Sequence, residues 1–526
     1  MRRRLPSRPA SHASFSPMTA NVGTFLQRWA RRDPDRTGII DSGRNDLSLS
    51  YAELDRQASR VAAQLKDGGL GPGDRVAICT ANGLDFVAAW FGTVYAGCTT
   101  LPIPVSSTAH EIAFRLQHAS CKALLTDANR LPVARASKAR AGTPTEILLV
   151  EDLIKRFEGE AAPCAVTRDS LAMLLYTSGT TGASKAVCIT HSSLAAHSKA
   201  LVEETLRLGE DDRVLGTLPL THSYGIRTTL LVPFYAGAST VFVPKFSPTR
   251  TLELCMAHRI TWIPGVPTMF VAWANEHSLP TPPALRWCMS AGAPLAEDVR
   301  LRAEERLGAP VRQAYGLTEA NLTAINAPPD VAVAGSSGRP VAGVELRIAN
   351  EHGAEAPRGE HGEVLVRGQN VMSGYLDDKL ATAHVMRDGW LHTGDIGFVD
   401  GEGRLTIADR SKDLILRGGA SIYPSEVEAV LAHHGAVQDA AVVGQADDYY
   451  GEEIVAVVVA STEVTAAELD AWARERLAPY KLPRRYAFMK ELPRGTGGKT
   501  LKRFLRDALA SGQIVAEPLP PDGLAE

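Results

Sequence analysis

The chain has no Cys-x-x-Cys pair, no block of like charge and no apolar run long enough to span a bilayer. Its seven cysteines, at 79, 98, 121, 164, 188, 255 and 288, are odd in number and scattered. That pattern argues against a disulfide framework and a zinc site, and predicts a reducing, cytoplasmic compartment. The net charge of -3, with basic residues dispersed, gives no electrostatic case for nucleic acid as a partner. The longest uncharged stretch, Phe86 to Ala109, is broken by Gly92, Gly97, Pro102 and Pro104. It predicts a buried helix followed by a buried strand, with no transmembrane segment. Acidic side chains are missing from residues 1–32, which open Met-Arg-Arg-Arg. No apolar secretory segment accompanies them, and Pro6, Pro9 and Pro17 break an amphipathic helix. A disordered leader over 1–21 and a targeting segment are the two readings.

What is present is enough apolar material, 45% of 526 residues, for at least two domains. Ser50-Tyr-Ala-Glu53 is a capping box, and Leu54, Ala58, Val61, Ala62 and Leu65 mark one helical face until Gly68-Gly69 stops it. Short apolar strands follow at Arg75–Ile78, Ala123–Thr126, Arg213–Thr217 and Ser239–Val243, which predicts an α/β fold with mostly parallel strands. After about Leu346 the pattern turns to short alternating strands such as Gly362–Arg367 and Gly403–Ile407, a small β-barrel-like or antiparallel subdomain. A small α+β unit follows. Its strands are predicted at Asp439–Val443 and Ile454–Val459, and its helices at Pro424–Ala432 and Ala466–Leu477. The expected division is a large N-terminal domain over 22–410, a hinge at 411–412, a mobile small domain over 413–510 and a flexible tail over 511–526.

The run Tyr176-Thr-Ser-Gly-Thr-Thr-Gly-Ala-Ser-Lys185 interleaves glycines with hydroxyl side chains and closes on a lysine, as a phosphate-holding loop would. It is not a Walker A loop, because Ser184 precedes the lysine and Ala186 follows it. Standing alone, such a turn is as readily a flexible connection. Five further segments accompany it: Leu218–Gly225, Ser290–Leu295, Ala314–Glu319, Trp390–Asp395 and Leu492–Lys499. In order and spacing these resemble the core motifs of the adenylate-forming superfamily, which includes acyl-CoA synthetases, peptide-synthetase adenylation domains and beetle luciferases. The resemblance covers about Val22 to Arg506.

That resemblance implies ATP, Mg2+ and coenzyme A as cofactors, and activation of a fatty or aryl carboxylic acid through an acyl-adenylate. Thr177, Ser178, Gly179, Thr180, Thr181, Gly182 and Lys185 would hold phosphates. Glu319 would ligate magnesium with Thr181, since a carboxylate beside phosphates needs a cation between them. Thr318 would contact phosphate, Tyr315 would stack on adenine, and Gly292, Ala293, Pro294 and Gly316 would line the base and the acid pocket. Asp395 and Arg410 would hold the ribose. Lys499 would bridge the acid and the α-phosphate, and His222 would orient the carboxylate and later admit the thiol. Lys412 would be the pivot of a small-domain rotation, and Gly418 and Gly419 would line the coenzyme A channel. Thr228, Ala320 and Asn321 would shape the acyl pocket.

Four positions depart from the superfamily pattern: Ser184 stands where proline is usual, Ala186 where glycine is usual, and Ala420-Ser421 where Glu-Asn is common among CoA ligases. They leave open a carrier-protein phosphopantetheine as the acceptor, although the segment after Lys499 is too short for a fused carrier domain. A non-catalytic AMP-binding relic is the remaining alternative, opposed by the retention of Glu319, Asp395 and Lys499. Arg227 reads as an exposed helix arginine, with pairing to the second carboxylate of a dicarboxylic acid as the other reading.

Overall fold

The computed structural model describes residues 21–156, 161–177, 184–410, 413–417, 420–447, 449–495 and 500–519. Its first sheet has seven strands, in the order Gly374–Tyr375, Ala186–Thr190, Leu171–Tyr176, Thr99–Pro102, Arg75–Cys79, Ala123–Thr126 and Glu146–Leu149. The last five are parallel. Continuous apolar runs in these strands match burial on both faces. The helix Tyr51–Asp67 is capped as predicted: the Ser50 hydroxyl accepts from the Glu53 N–H, and the Glu53 carboxylate accepts from the Ser50 N–H. The helix Leu84–Tyr95 is buried almost all round and leads into the buried strand Thr99–Pro102.

A second, larger sheet joins two kinds of ladder. Thr37–Asp41, Ser239–Phe242, Arg213–Gly216, Trp262–Gly265, Trp287–Ser290 and Val311–Leu317 run parallel. At Val311–Leu317 the chain folds back antiparallel through Asn321–Ile325, and the ladder continues through Ser336–Pro340, Leu405–Arg410, Trp390–Val399, Gly362–Gly368 and Val344–Ala349. The antiparallel strands expected after about Leu346 are there, but the switch from parallel pairing comes earlier, between Val311–Leu317 and Asn321–Ile325.

The small unit carries its own sheet and two cores. Along its central strand Gly451–Ala460, Ile454, Ala456 and Val458 enter one core, and Val455, Val457 and Val459 enter the other. Period-two alternation on a strand covered on both faces produces that division. Helices Pro424–Ala432 and Ala466–Arg474 pack on the first face, and Lys502–Ala510 on the second.

Two boundary expectations are corrected. Asn21, assigned to the leader, is buried, and its amide donates to the Val94 carbonyl at 2.7 Å; residues 1–20 lie outside the described residues. The segment after Ser511 is no flexible tail as far as Leu519: Glu517–Pro518 pairs antiparallel with Arg485–Phe488, and Ile514, Ala516 and Leu519 pack on the small unit's cores. Its apolar residues find a groove that its prolines do not close to it. Among the described residues no helix is long and apolar enough to cross a membrane. All seven cysteines are free and all but Cys164 are buried; burial pushes the Cys121 thiol up to about 12.

Candidate active site

Ligands of open α/β sheets bind beyond the carboxyl ends of the parallel strands, and the motif residues gather there. Thr177 follows Leu171–Tyr176, the Leu218–His222 turn follows Arg213–Gly216, Gly292 follows Trp287–Ser290, and Tyr315 lies toward the end of Val311–Leu317.

The phosphate-loop ends are closed as a hairpin. Tyr176 opposes Ala186 in antiparallel register, the Thr177 N–H donates to the Lys185 carbonyl at 3.0 Å, and the Ser184 hydroxyl donates to the Thr177 carbonyl. Ser184 therefore has a local task that proline's side chain could not perform. Tyr176 is held at its hydroxyl by His118 Nδ1, 2.7 Å away, and its ring packs against Phe114 with the Arg115 guanidinium 5.5 Å from its centroid. Ser178, Gly179, Thr180, Thr181 and Gly182 lie outside the described residues, as do Lys412, Gly418, Gly419 and Lys499.

Glu319 and Lys185 meet at a residue that sequence reasoning missed. The Tyr375 hydroxyl donates to Glu319 Oε1 at 2.9 Å, and Lys185 Nζ lies 5.1 Å from the centre of the Tyr375 ring. The Met372 N–H donates to the Glu319 carbonyl, and the Leu376 N–H to the Ala186 carbonyl, so residues 372–376 lace the glutamate to the strand beyond the loop. Burial and the Glu319 charge push the Tyr375 phenol up, keeping it protonated as the donor. An aromatic directly after Gly374, in a segment between strands, was the available signal.

Tyr315 and Asp395, 80 residues apart, also meet: the phenol donates to Asp395 Oδ2 at 2.5 Å. Asp395 is buried, its N–H bonds to Thr393 Oγ1, and its backbone lies in register with Arg410. Glu363 supports the turn, with His392 Nδ1 at 2.8 Å from one oxygen and the Gly394 N–H on the other. Gly292 takes φ +93°, where a side chain is disfavoured, and Gly292, Ala293 and Pro294 are exposed. Thr318 and Gly316 are half-buried between Tyr315 and Glu319.

His222 occupies the cap position of the short helix Ser223–Ile226 and is half-buried. The preceding turn is pinned by Asn82, whose amide donates to the Leu218 carbonyl at 2.8 Å and accepts from the Leu220 N–H at 3.0 Å. Asn321 binds this helix to the neighbouring strand through its Nδ2, which donates to the Ser223 carbonyl at 3.2 Å. Ala320 and Thr228 are fully buried, and the Thr228 hydroxyl turns back onto the Tyr224 carbonyl. Arg227 is not an exposed helix arginine: it is 1% exposed. Its helix face turns inward against the helix His191–Lys199, where Leu194 and Ser198 accept its hydrogen bonds.

The sequence profile of AMP-binding enzymes matches residues 26–376, and that of the AMP-binding enzyme C-terminal domain matches 426–499. The chain belongs to the AMP-binding enzyme family. This AMP-binding enzyme is 34% identical to a long-chain-fatty-acid–CoA ligase of Bacillus subtilis (strain 168), over 92% of this chain and 93% of that protein. It is 32% identical to a sulfoacetate–CoA ligase of Cupriavidus necator, over 92% of this chain and 96% of that protein. The structure of o-succinylbenzoate coenzyme A synthetase from Bacillus subtilis, in complex with ATP and magnesium ion, aligns with a TM-score of 0.84 at 32% identity, covering 92% of this chain and 99% of that one. The family places this AMP-binding enzyme among the acid–thiol ligases.

Proposed function

We propose that this chain activates a carboxylic acid with ATP, releasing pyrophosphate, and passes the acyl group from the adenylate to coenzyme A. The observation that carries the reading is the pair of contacts Tyr315–Asp395 and Glu319–Tyr375–Lys185 beside the closed base of the phosphate loop. The first pair offers a ring face for adenine and a short carboxylate for ribose hydroxyls. The second sets a carboxylate beside a lysine where a triphosphate would lie. Among the described residues no cluster of three His, Cys, Asp or Glu could hold a metal by itself. A lone carboxylate fits magnesium that takes its other oxygens from phosphate and water. Magnesium, when bound at Glu319, neutralises charge on the leaving pyrophosphate.

The protein's own work is positioning and charge placement, with no covalent nucleophile. The phosphate loop with Lys185 holds the triphosphate, Asp395 and Arg410 fix the ribose, and His222 orients the attacking carboxylate. Lys499 then bridges carboxylate and α-phosphate as charge redistributes. The small domain, beginning at 413, rotates about Lys412 to withdraw Lys499 and present the Gly418-Gly419 segment to the thiol.

The test is pyrophosphate release across fatty, aryl and dicarboxylic acids, with and without coenzyme A. Acid-dependent release that turns over only with coenzyme A is expected, and Lys499→Ala lowers the rate on the order of 10² to 10³. Release indifferent to coenzyme A would replace it by a carrier protein as acceptor. No release with any acid would overturn the reading.

A further inference from the structure

Arg227 heads the turn Arg227–Leu231, which is wound as a π-helix and continues the helix that His222 begins. One guanidinium nitrogen donates to the Leu194 carbonyl at 3.0 Å and to Ser198 Oγ at 3.1 Å. Its Nε has no partner. Among the described residues no carboxylate lies within ion-pair distance of it, and burial alone lowers its affinity for the proton, to about 9. His197 stands beside it, fully buried, with no side-chain partner for either ring nitrogen. Burial and the Arg227 charge both keep that imidazole neutral, against a backbone hydrogen bond with Leu322. The helix carrying His197 and Ser198 also passes into a π-helical stretch, Ala200–Leu206. π-Helical turns are rare and concentrate at functional sites.

Burying a guanidinium without a counter-ion is strongly unfavourable unless something anionic meets it. Neutral hydroxyls and carbonyls surround this one. Two residues expected to shape the acyl pocket adjoin this group: Thr228 is its chain neighbour, and Asn321 opens the strand Asn321–Ile325 that carries Leu322. Arg227 follows His222 by five residues along one continuous helical run.

We propose that Arg227, with His197 beside it, receives a second acidic group of the substrate, so that this enzyme prefers a dicarboxylate or sulfocarboxylate over the monocarboxylate of equal length. The inference rests on the ligase reading above and narrows its acid. The first carboxylate is adenylated near His222, and the second supplies the missing counter-ion of Arg227. An apolar chain end in the same place would leave the guanidinium unpaired.

The test compares wild-type protein and Arg227→Met in acid-dependent pyrophosphate release, using diacids from succinate to suberate, sulfoacetate, and monoacids of matched length. Wild-type protein is expected to favour at least one diacid or sulfoacid over its matched monoacid by on the order of 100-fold in kcat/KM. Arg227→Met reverses that ratio, raising KM for the diacid and improving turnover of the monoacid. Wild-type preference for monoacids, or an equal loss on both classes in Arg227→Met, overturns the proposal while the ligase reading stands. The wild-type ratio decides alone should the variant fail to fold. Absence of release with every acid overturns both.

Discussion

Tyr375→Phe removes one hydroxyl and leaves the ring on which Lys185 rests, so it isolates the bond to Glu319. A hydrogen bond to a charged group contributes about 1.5–3 kcal/mol when buried. Both partners here are half-buried, and solvent screening reduces the figure to about 1 kcal/mol. With Oε1 held by the phenol, Glu319 presents Oε2 in a fixed direction. Freed, the carboxylate must be ordered when the cation binds. The expected result is about a fivefold higher free Mg2+ concentration for half-maximal pyrophosphate release, with the KM for the acid little changed. Tyr375→Leu also strips the ring beneath Lys185, worth about 0.5–1 kcal/mol at a half-exposed site, and should raise the KM for ATP as well. The assay is initial rate against free Mg2+ at fixed saturating ATP. Superimposable Mg2+ curves, or a lower requirement in Tyr375→Phe, would refute the orienting role.

At Gly225 an added Cβ would lie 2.1 Å from the Pro219 carbonyl oxygen, in a turn that Asn82 pins, so Gly225→Ala must shift the helix that His222 caps. An overpacking cost of about 1–3 kcal/mol in Tm-derived stability is expected, with kcat/KM for the acid falling more than that for ATP; equal effects on both substrates would contradict it. His191 accepts the Val22 N–H on Nδ1, and burial lowers its pKa from 6.5 to about 4. The unfolded chain therefore binds the proton first as pH falls from 6.5 towards 4, and stability drops across that window by up to about 3 kcal/mol. His191→Gln should flatten the fall of Tm between pH 7 and 4.5, and an unchanged slope would count against this histidine as a source of acid lability.

Local chemistry was readable in the sequence where it acts over a few residues. The Ser50–Glu53 box caps its helix, and Pro424–Ala432 is helical over the span predicted. Contacts across the fold were not readable. Tyr375 lies 56 residues from Glu319 and Tyr315 lies 80 from Asp395, and no periodicity links such pairs. Gly374–Tyr375 is brought in by pairing with Ala186–Thr190 in the first sheet, and Asp395 by the second sheet's antiparallel ladder, where Leu405–Arg410 pairs with both Trp390–Val399 and Ser336–Pro340. Arg227 is a different case. Residue type assigned it to the surface, yet it is the one Asp, Glu, Lys or Arg between Arg213 and Lys245. An arginine isolated in a thirty-residue uncharged stretch has little polar surface to occupy, and that context outweighs its average preference.

One hairpin connects the candidate site to the small domain. Asp395 and Arg410 face each other in the ladder between Trp390–Val399 and Leu405–Arg410. One residue before Arg410, the Asp409 carboxylate accepts the Ser425 N–H at 2.8 Å, at the start of the helix Pro424–Ala432, while the Ser425 hydroxyl donates to the Ala408 carbonyl. An anionic side chain at a helix N-terminus is favoured by the unpaired N–H groups there. The strand that ends in Arg410 thus caps a small-domain helix from the residue before it. The proposed rotation about Lys412 would either break that cap or carry the end of the strand with it. Either way the proposed ribose partners Asp395 and Arg410 would be coupled to the small domain through a single strand end.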